Sequence, residues 1–111
     1  MFTDIETSDE LEVLINSETA LLVYFSTNNC NVCKSLKPKV GQTVLNNFEK
    51  MKMAYVRTDV LPEAAGKHHV FTAPTVLVFF EGKETVRKIR NFGIEELIHE
   101  ISRPYSLIFS E

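Results

Sequence analysis

The stretch from residue 21 to residue 38 reads LLVYFSTNNCNVCKSLKP, and the rest of the chain is best interpreted from it. It begins with a short continuous apolar run, which is typical of a strand buried on both faces of a sheet. A polar turn follows, and a helical pattern then extends from about residue 30 to residue 48. Pro38 falls inside that pattern, so we expect a kinked helix. The chain's two cysteines, Cys30 and Cys33, therefore lie where a buried strand passes into a helix.

This position suits thiol chemistry. The thiolate is the reactive form of cysteine, and free N–H groups and the helix dipole stabilise an anion at a helix N-terminus. We therefore expect Cys30 to be exposed, with a pKa below the free value of about 8.5. Cys33 follows one helical turn later and should be shielded. The spacing predicts that Cys30 attacks a substrate disulfide and that Cys33 resolves the mixed disulfide.

Three alternative roles for the cysteine pair remain open. C-x-x-C is half of a zinc site, but structural zinc takes four ligands. The second C-x-x-C is missing, and the further candidate ligands are His68, His69 and His99. The pair could also be two inert buried thiols, or a motif retained by a protein that mainly binds partners. A bridge across so small a loop adds little stability, which argues against a purely structural disulfide. We favour the redox role, because the pair lies at a strand-to-helix turn and lacks the second C-x-x-C of a zinc site.

The remaining patterns predict alternating helices and strands. A capping-box spacing at Thr7 and Glu10 starts a first helix. Strands are predicted over residues 53–59, 75–80 and 85–92, with a short helix after Pro62. A final amphipathic helix starts near residue 94 and should stop at Pro104, leaving an apolar tail over residues 103–111. We expect an α/β fold with a mixed sheet of four or five strands and helices on both faces. Strands joined by helices should be parallel, and the last two antiparallel.

Composition narrows the function classes. The chain has 111 residues, of which 44% are hydrophobic, and its formal net charge is −3. We expect one domain over residues 1–111 and no nucleic-acid partner, because a basic footprint is lacking. The longest apolar runs are too short to span a membrane. The first residues lack a signal-peptide pattern, so we expect a cytoplasmic protein without a membrane partner.

Two separated motifs resemble the thioredoxin family. The first is the opening strand with its C-x-x-C and Pro38, and the second is TAPTVLVFFEGK over residues 72–83. The sequence NFG at residues 91–93 also fits, and the match covers about residues 7–102. The resemblance implies a thioredoxin-like fold and a thiol–disulfide oxidoreductase whose only cofactor is its own Cys30–Cys33 disulfide. Protein disulfides would be its substrates, and a reductase or a low-molecular-weight thiol its electron donor. We expect a monomer.

The same resemblance implies a substrate site. In the family, the bond before the second motif's proline is cis, and the backbone just before it pairs with the bound substrate. The Ala73–Pro74 bond should therefore be cis and face the dithiol, where Pro74 shields the thiols from metal ions. We expect substrate contacts from five residues around the dithiol and no metal site. The five are Asn29, Asn31, Val32, Ala73 and Pro74.

The chain departs from the family pattern at several positions. General reductases of the family carry Trp before the first cysteine and Gly-Pro between the two. This chain has Asn29, which removes an aromatic contact surface, and Asn31-Val32. The family's buried acid aligns with Tyr24 and its lysine partner with Tyr55. That acid helps deprotonate the second thiol, whereas tyrosine titrates near 10 and is a poor base.

These replacements put efficient reduction of protein disulfides in doubt. We interpret Tyr24 and Tyr55 as core aromatics whose hydroxyls reach water or each other. Two alternative functions follow, a binding or redox-sensing module and a reductase of small-thiol mixed disulfides. We interpret the lysines at 34, 37 and 39 as a solvated helix face, with a binding patch for anionic small thiols as the alternative. His68 and His69 are interpreted as loop residues, with an approach to the dithiol as the alternative.

Overall fold

Five strands and four helices follow one another in the computed structural model, which describes residues 2–110. The strands are β1 (Phe2–Asp4), β2 (Ala20–Ser26), β3 (Lys52–Arg57), β4 (Thr75–Phe80) and β5 (Lys83–Ile89). The helices are α1 (Ser8–Ser17), α2 (Asn31–Asn47), α3 (Pro62–Lys67) and α4 (Ile94–Phe109). The sequence predicted α2 and β4 within a residue at each end. The kink expected at Pro38, which lies inside α2, stays a prediction.

The strands form one mixed sheet in the order β1-β3-β2-β4-β5, which confirms the predicted fold class. β3 pairs in parallel with β1 and β2, while β4 pairs antiparallel with β2 and β5. The prediction that strands joined by helices are parallel was wrong for β4. α3 has only six residues and is therefore about 9 Å long, roughly half the length of the strand before it. It does not carry the chain back to the end of the sheet where β3 begins.

The first strand had no counterpart in the sequence-based assignment. β1 has three residues and lies at the edge of the sheet, where Phe2 is opposite Met53 and Asp4 is opposite Tyr55. Three residues are too few for hydrophobic alternation to be recognised. Its pairing with β3 places the Phe2 ring near Tyr24 and Tyr55.

Two apolar layers cover the two faces of the sheet, and every residue of β2 is buried between them. Successive side chains of a strand point to opposite faces. Leu22 and Tyr24 therefore pack with Cys33 and the apolar sides of α2 and α4. Leu21, Val23 and Phe25 pack against α1 and α3. Tyr24 thus lies on the face of the sheet that carries the second cysteine.

The last helix is longer than the sequence predicted. Pro104 was expected to end it, but α4 continues through Pro104 to Phe109. The ring of Tyr105 packs against Phe48 and Phe109, with centroids 5.0 and 4.7 Å apart. Its hydroxyl accepts a hydrogen bond of 3.0 Å from the Lys50 N–H. This packing offsets the hydrogen bond that proline removes.

The predicted tail over residues 103–111 is therefore helical as far as residue 109. The two ends of the predicted domain, Met1 and Glu111, lie outside the described residues.

We expect Tyr105→Ala to lower the free energy of unfolding by about 2 kcal/mol, because it removes a half-buried ring from the contact with Phe48. Tyr105→Phe keeps the ring and loses only the hydrogen bond from Lys50, so its cost should be about 1 kcal/mol. Urea unfolding followed by circular dichroism measures both. Ser106→Ala, at an exposed neighbour, is the control. If Tyr105→Ala and Ser106→Ala are equally stable, the packing does not hold the helix end.

Candidate active site

The dithiol lies at the start of α2. Cys30 is the residue that caps the helix, and its Sγ accepts a hydrogen bond of 3.1 Å from the Cys33 N–H. The two cysteines form a disulfide, with their Cα atoms 5.2 Å apart. Cys30 is partly exposed, whereas Cys33 is only 1% exposed. An incoming sulfur can therefore reach Cys30 more readily than Cys33.

A short turn after β2 brings Cys30 to the surface. Asn29, the residue before it, is exposed and has a φ of 61°, in the left-handed region. Asparagine adopts this conformation more often than most other residues with a side chain. Asn29 is thus suited to the turn that presents the first cysteine.

A groove of about 470 Å³ opens in front of Cys30. Two loops form it, one leading into α2 and one leading into β4. It is lined by Thr27, Asn28, Asn29, Cys30, Asn31, Val32, Phe71, Thr72, Ala73 and Arg90. The structure thus brings four of the five predicted substrate contacts together beside Cys30. Their part in substrate binding stays a prediction.

The fifth predicted contact, Pro74, is buried and is not one of the lining residues. The Ala73–Pro74 bond is cis, as the resemblance implied. The Pro74 carbonyl accepts a hydrogen bond of 2.8 Å from the Arg90 N–H. Pro74 therefore links the β4 loop of the groove to the end of β5.

Two residues of the groove were missed by the sequence analysis, Phe71 and Arg90. Phe71 is 82% exposed and supplies an aromatic surface in the groove beside Cys30, in a chain that has Asn29 and not Trp before the first cysteine. A bulky aromatic residue two positions before Ala73 was the available indication. Arg90 had none, because it reaches the groove only through the pairing of β5 with β4.

Tyr24 forms a hydrogen bond to the backbone of α2 at the second cysteine. It is fully buried, and its hydroxyl donates a hydrogen bond of 2.8 Å to the Cys33 carbonyl. The interpretation that this hydroxyl reaches water or Tyr55 was therefore wrong. Burial, and to a lesser extent the neighbouring Tyr55, raises the pKa of Tyr24 further above its ordinary value. Tyr24 keeps its proton at neutral pH and acts as a donor, not as a base.

The position of the family's lysine is also occupied by an aromatic ring. Tyr55 stacks on Tyr24, with centroids 6.1 Å apart and planes at 18°. The ammonium of Lys37 lies 3.6 Å from the centre of the Tyr55 ring. A cation over an aromatic face is attracted to it. Of the three lysines assigned to a solvated face, Lys37 instead lies over the rings of Tyr55 and Phe2, while Lys34 and Lys39 are exposed.

His68 lies on the other face of the sheet. Its Nε2 is 2.6 Å from a carboxylate oxygen of Glu12 in α1, and its ring packs on Phe79. Phe79 belongs to the apolar layer that faces α1 and α3. The alternative that a histidine approaches the dithiol is therefore wrong for His68. Nowhere within residues 2–110 do three His, Cys, Asp or Glu side chains group as possible metal ligands.

Comparison with known proteins gives the family. A thioredoxin family model matches residues 3–103. The thioredoxin-like protein YdfQ of Bacillus subtilis is 32% identical over 101 residues, which cover 91% of this chain and 89% of that protein. Thioredoxin of Echinococcus granulosus is 34% identical over 92 residues, 81% of this chain and 85% of the relative.

A solved structure agrees in fold. The X-ray structure of Fasciola hepatica thioredoxin matches with a TM-score of 0.81 and 30% identity, over 93% of this chain and 98% of the other. The chain belongs to the thioredoxin family. With its dithiol at the start of α2, it is a thiol–disulfide oxidoreductase. No helix among the described residues is long and apolar enough to cross a membrane.

Proposed function

We propose that this protein reduces or exchanges disulfides in protein substrates, with Cys30 as the attacking thiol and Cys33 as the resolving thiol. One observation carries the proposal. Cys30 is partly exposed and lines the groove, while Cys33 is buried in the first turn of the helix that Cys30 caps. A substrate sulfur can approach the first cysteine, and the second is held within reach of the first.

The reaction balances in two exchange steps. The Cys30 thiolate attacks one sulfur of the substrate disulfide and forms a mixed disulfide, and the other substrate sulfur leaves as a thiolate that takes a proton from water. Cys33 then gives its proton to water and attacks the Cys30 sulfur, which releases the second substrate thiolate, and this thiolate also takes a proton from water. Two electrons have passed to the substrate, and the Cys30–Cys33 disulfide remains. A reductase or a low-molecular-weight thiol returns the electrons.

We also propose that the protein acts in the cytoplasm as a monomer. Its role there is in electron transport and cell redox homeostasis. Its cysteine usage supports this setting. Secreted domains of this size that depend on disulfides usually carry several bridges, whereas this chain has two cysteines, both within one motif. No cofactor is needed beyond the dithiol, because thiol exchange moves the electron pair between sulfur atoms.

A turnover comparison tests the proposed substrate class. The reduction of insulin and of a peptide–glutathione mixed disulfide is followed with the same electron donor, with and without the protein. We expect insulin reduction above the rate of the donor alone. Turnover of only the mixed disulfide would make the protein a small-thiol reductase. Turnover of neither would make it a binding or redox-sensing module, which the loss of the family's acid at Tyr24 also favours.

A further inference from the structure

We infer that Arg90 makes the groove selective for protein disulfides that carry an acidic side chain beside the reacting cysteine. The inference rests on the proposed function and names the substrate class that this site prefers. Arg90 is the only formally charged residue among the ten described residues that line the groove. A substrate segment bound at Cys30 therefore meets one positive charge among otherwise uncharged lining residues.

The backbone holds Arg90 at the groove. Its N–H is bonded to the Pro74 carbonyl at 2.8 Å, so residue 90 is tied to the loop that carries Ala73. Its φ is 53°, in the left-handed region that residues with a side chain seldom adopt. Such conformations persist where the surrounding structure fixes them, and they cluster at binding sites.

The Arg90 guanidinium is available to a ligand. Its side chain is exposed, and it forms no ion pair with a carboxylate of residues 2–110. By contrast, Arg57 is paired with Asp59 at 2.6 Å and Arg87 with Glu84 at 2.8 Å. The pairing with Arg57 also holds the pKa of Asp59 below its ordinary value.

The shape of the surface favours an extended protein segment over a small thiol. The groove shares Thr27, Phe71, Thr72 and Ala73 with a second hollow of about 420 Å³ that extends to α3. The exposed ring of Phe71 borders both. A substrate segment that fills this surface continues past the dithiol for several residues, and the part of it that lies in the groove is bordered by both Cys30 and Arg90.

Two peptide disulfides that differ at one residue test the inference. One carries Glu next to the reacting cysteine and the other carries Gln, and kcat/KM is measured for each. We expect the wild-type protein to prefer the Glu peptide by about fivefold at low salt, and less at high ionic strength because salt screens exposed charges. Arg90→Gln and Arg90→Gly should both bring the ratio of the two rates to about one.

Two further variants serve as controls. Arg90→Lys keeps the charge and should keep part of the preference. Arg103→Gln makes the same change of net charge at an exposed position on α4 and should keep all of it. Arg90→Gly suits the left-handed backbone, so agreement between it and Arg90→Gln excludes a folding defect as the cause.

The outcomes separate this inference from the proposed function. If both peptides are reduced at equal rates, or if Arg90→Gln keeps the preference, the inference is overturned and the proposed function stands. If neither peptide is reduced, both are overturned. A peptide–glutathione mixed disulfide forms the third arm. An Arg90 effect confined to that substrate would assign the arginine to a small-thiol carboxylate and would overturn the inference.

Discussion

Cys30→Ser will abolish attack on disulfides, whereas Cys33→Ser will leave attack intact and accumulate a stable mixed disulfide. The difference follows from their places on α2. Cys30 caps the helix and its sulfur already accepts the Cys33 N–H, an interaction that favours a thiolate. Cys33 is buried and has the neutral Tyr24 beneath its carbonyl, so it should remain mostly a thiol. Without it, nothing resolves the adduct on Cys30.

Alkylation rates against pH measure the same difference directly. In Cys33→Ser the remaining thiol should titrate with a pKa below the free value of about 8.5, and in Cys30→Ser the remaining thiol should react slowly at neutral pH. Mass spectrometry after incubation with a peptide disulfide shows which variant keeps an adduct. The roles are reversed if the Cys33 thiol alkylates faster at neutral pH, or if only Cys30→Ser retains the peptide.

Most of the fold could be predicted because its main elements have strong local patterns. β4 is a run of β-branched and aromatic residues, and α2 begins at a cysteine that caps it. The end of α4 could not be predicted, because the contacts that carry the helix past Pro104 come from Phe48, far away in the sequence. The direction of β4 was wrong for a related reason, since it depends on the short length of α3 and not on any residue of the strand.

The residues of the site likewise fall into those that the sequence could predict and those that it could not. The spacing of the two cysteines was enough to predict the reacting pair. Their sequence neighbours Asn29, Asn31 and Val32 could be predicted as part of the site for the same reason. Arg90 is remote in the chain and becomes part of the groove only when β5 pairs with β4. The hydrogen bond from Tyr24 to Cys33 was also beyond the sequence, because a buried hydroxyl takes whichever acceptor the packed helix presents.

Tyr24 stands where the resemblance to the family's general reductases places a buried acid. Burial raises the pKa of its hydroxyl, so it cannot take the proton that Cys33 must lose in the second exchange step. What it does instead is hold the Cys33 carbonyl at 2.8 Å. Tyr24→Phe should therefore cost about 1 kcal/mol of unfolding free energy without supplying a base.

Tyr24→Asp should accelerate reduction of protein disulfides while it destabilises the fold. A carboxylate beneath the dithiol can act as the missing base. We expect a gain of about tenfold, below that of a well-positioned base because the side chain is shorter than the ring it replaces. The lost ring and the buried charge, which has no lysine partner at Tyr55, should together cost about 4 kcal/mol. Insulin turnover and urea unfolding measure the two effects.

Tyr24→Asn is the matched control, because it leaves the same space and adds no charge. Burial raises the pKa of the introduced carboxyl in the folded state above its unfolded value of about 3.9. The unfolded chain therefore ionises first as pH rises, and the folded state loses stability. Tyr24→Asp and Tyr24→Asn should have about the same free energy of unfolding below pH 4. Toward pH 7 the aspartate variant should become the less stable of the two. If it also reduces insulin no faster than Tyr24→Asn, the absent base does not limit this enzyme, and the step that does lies at Cys30 or in the groove.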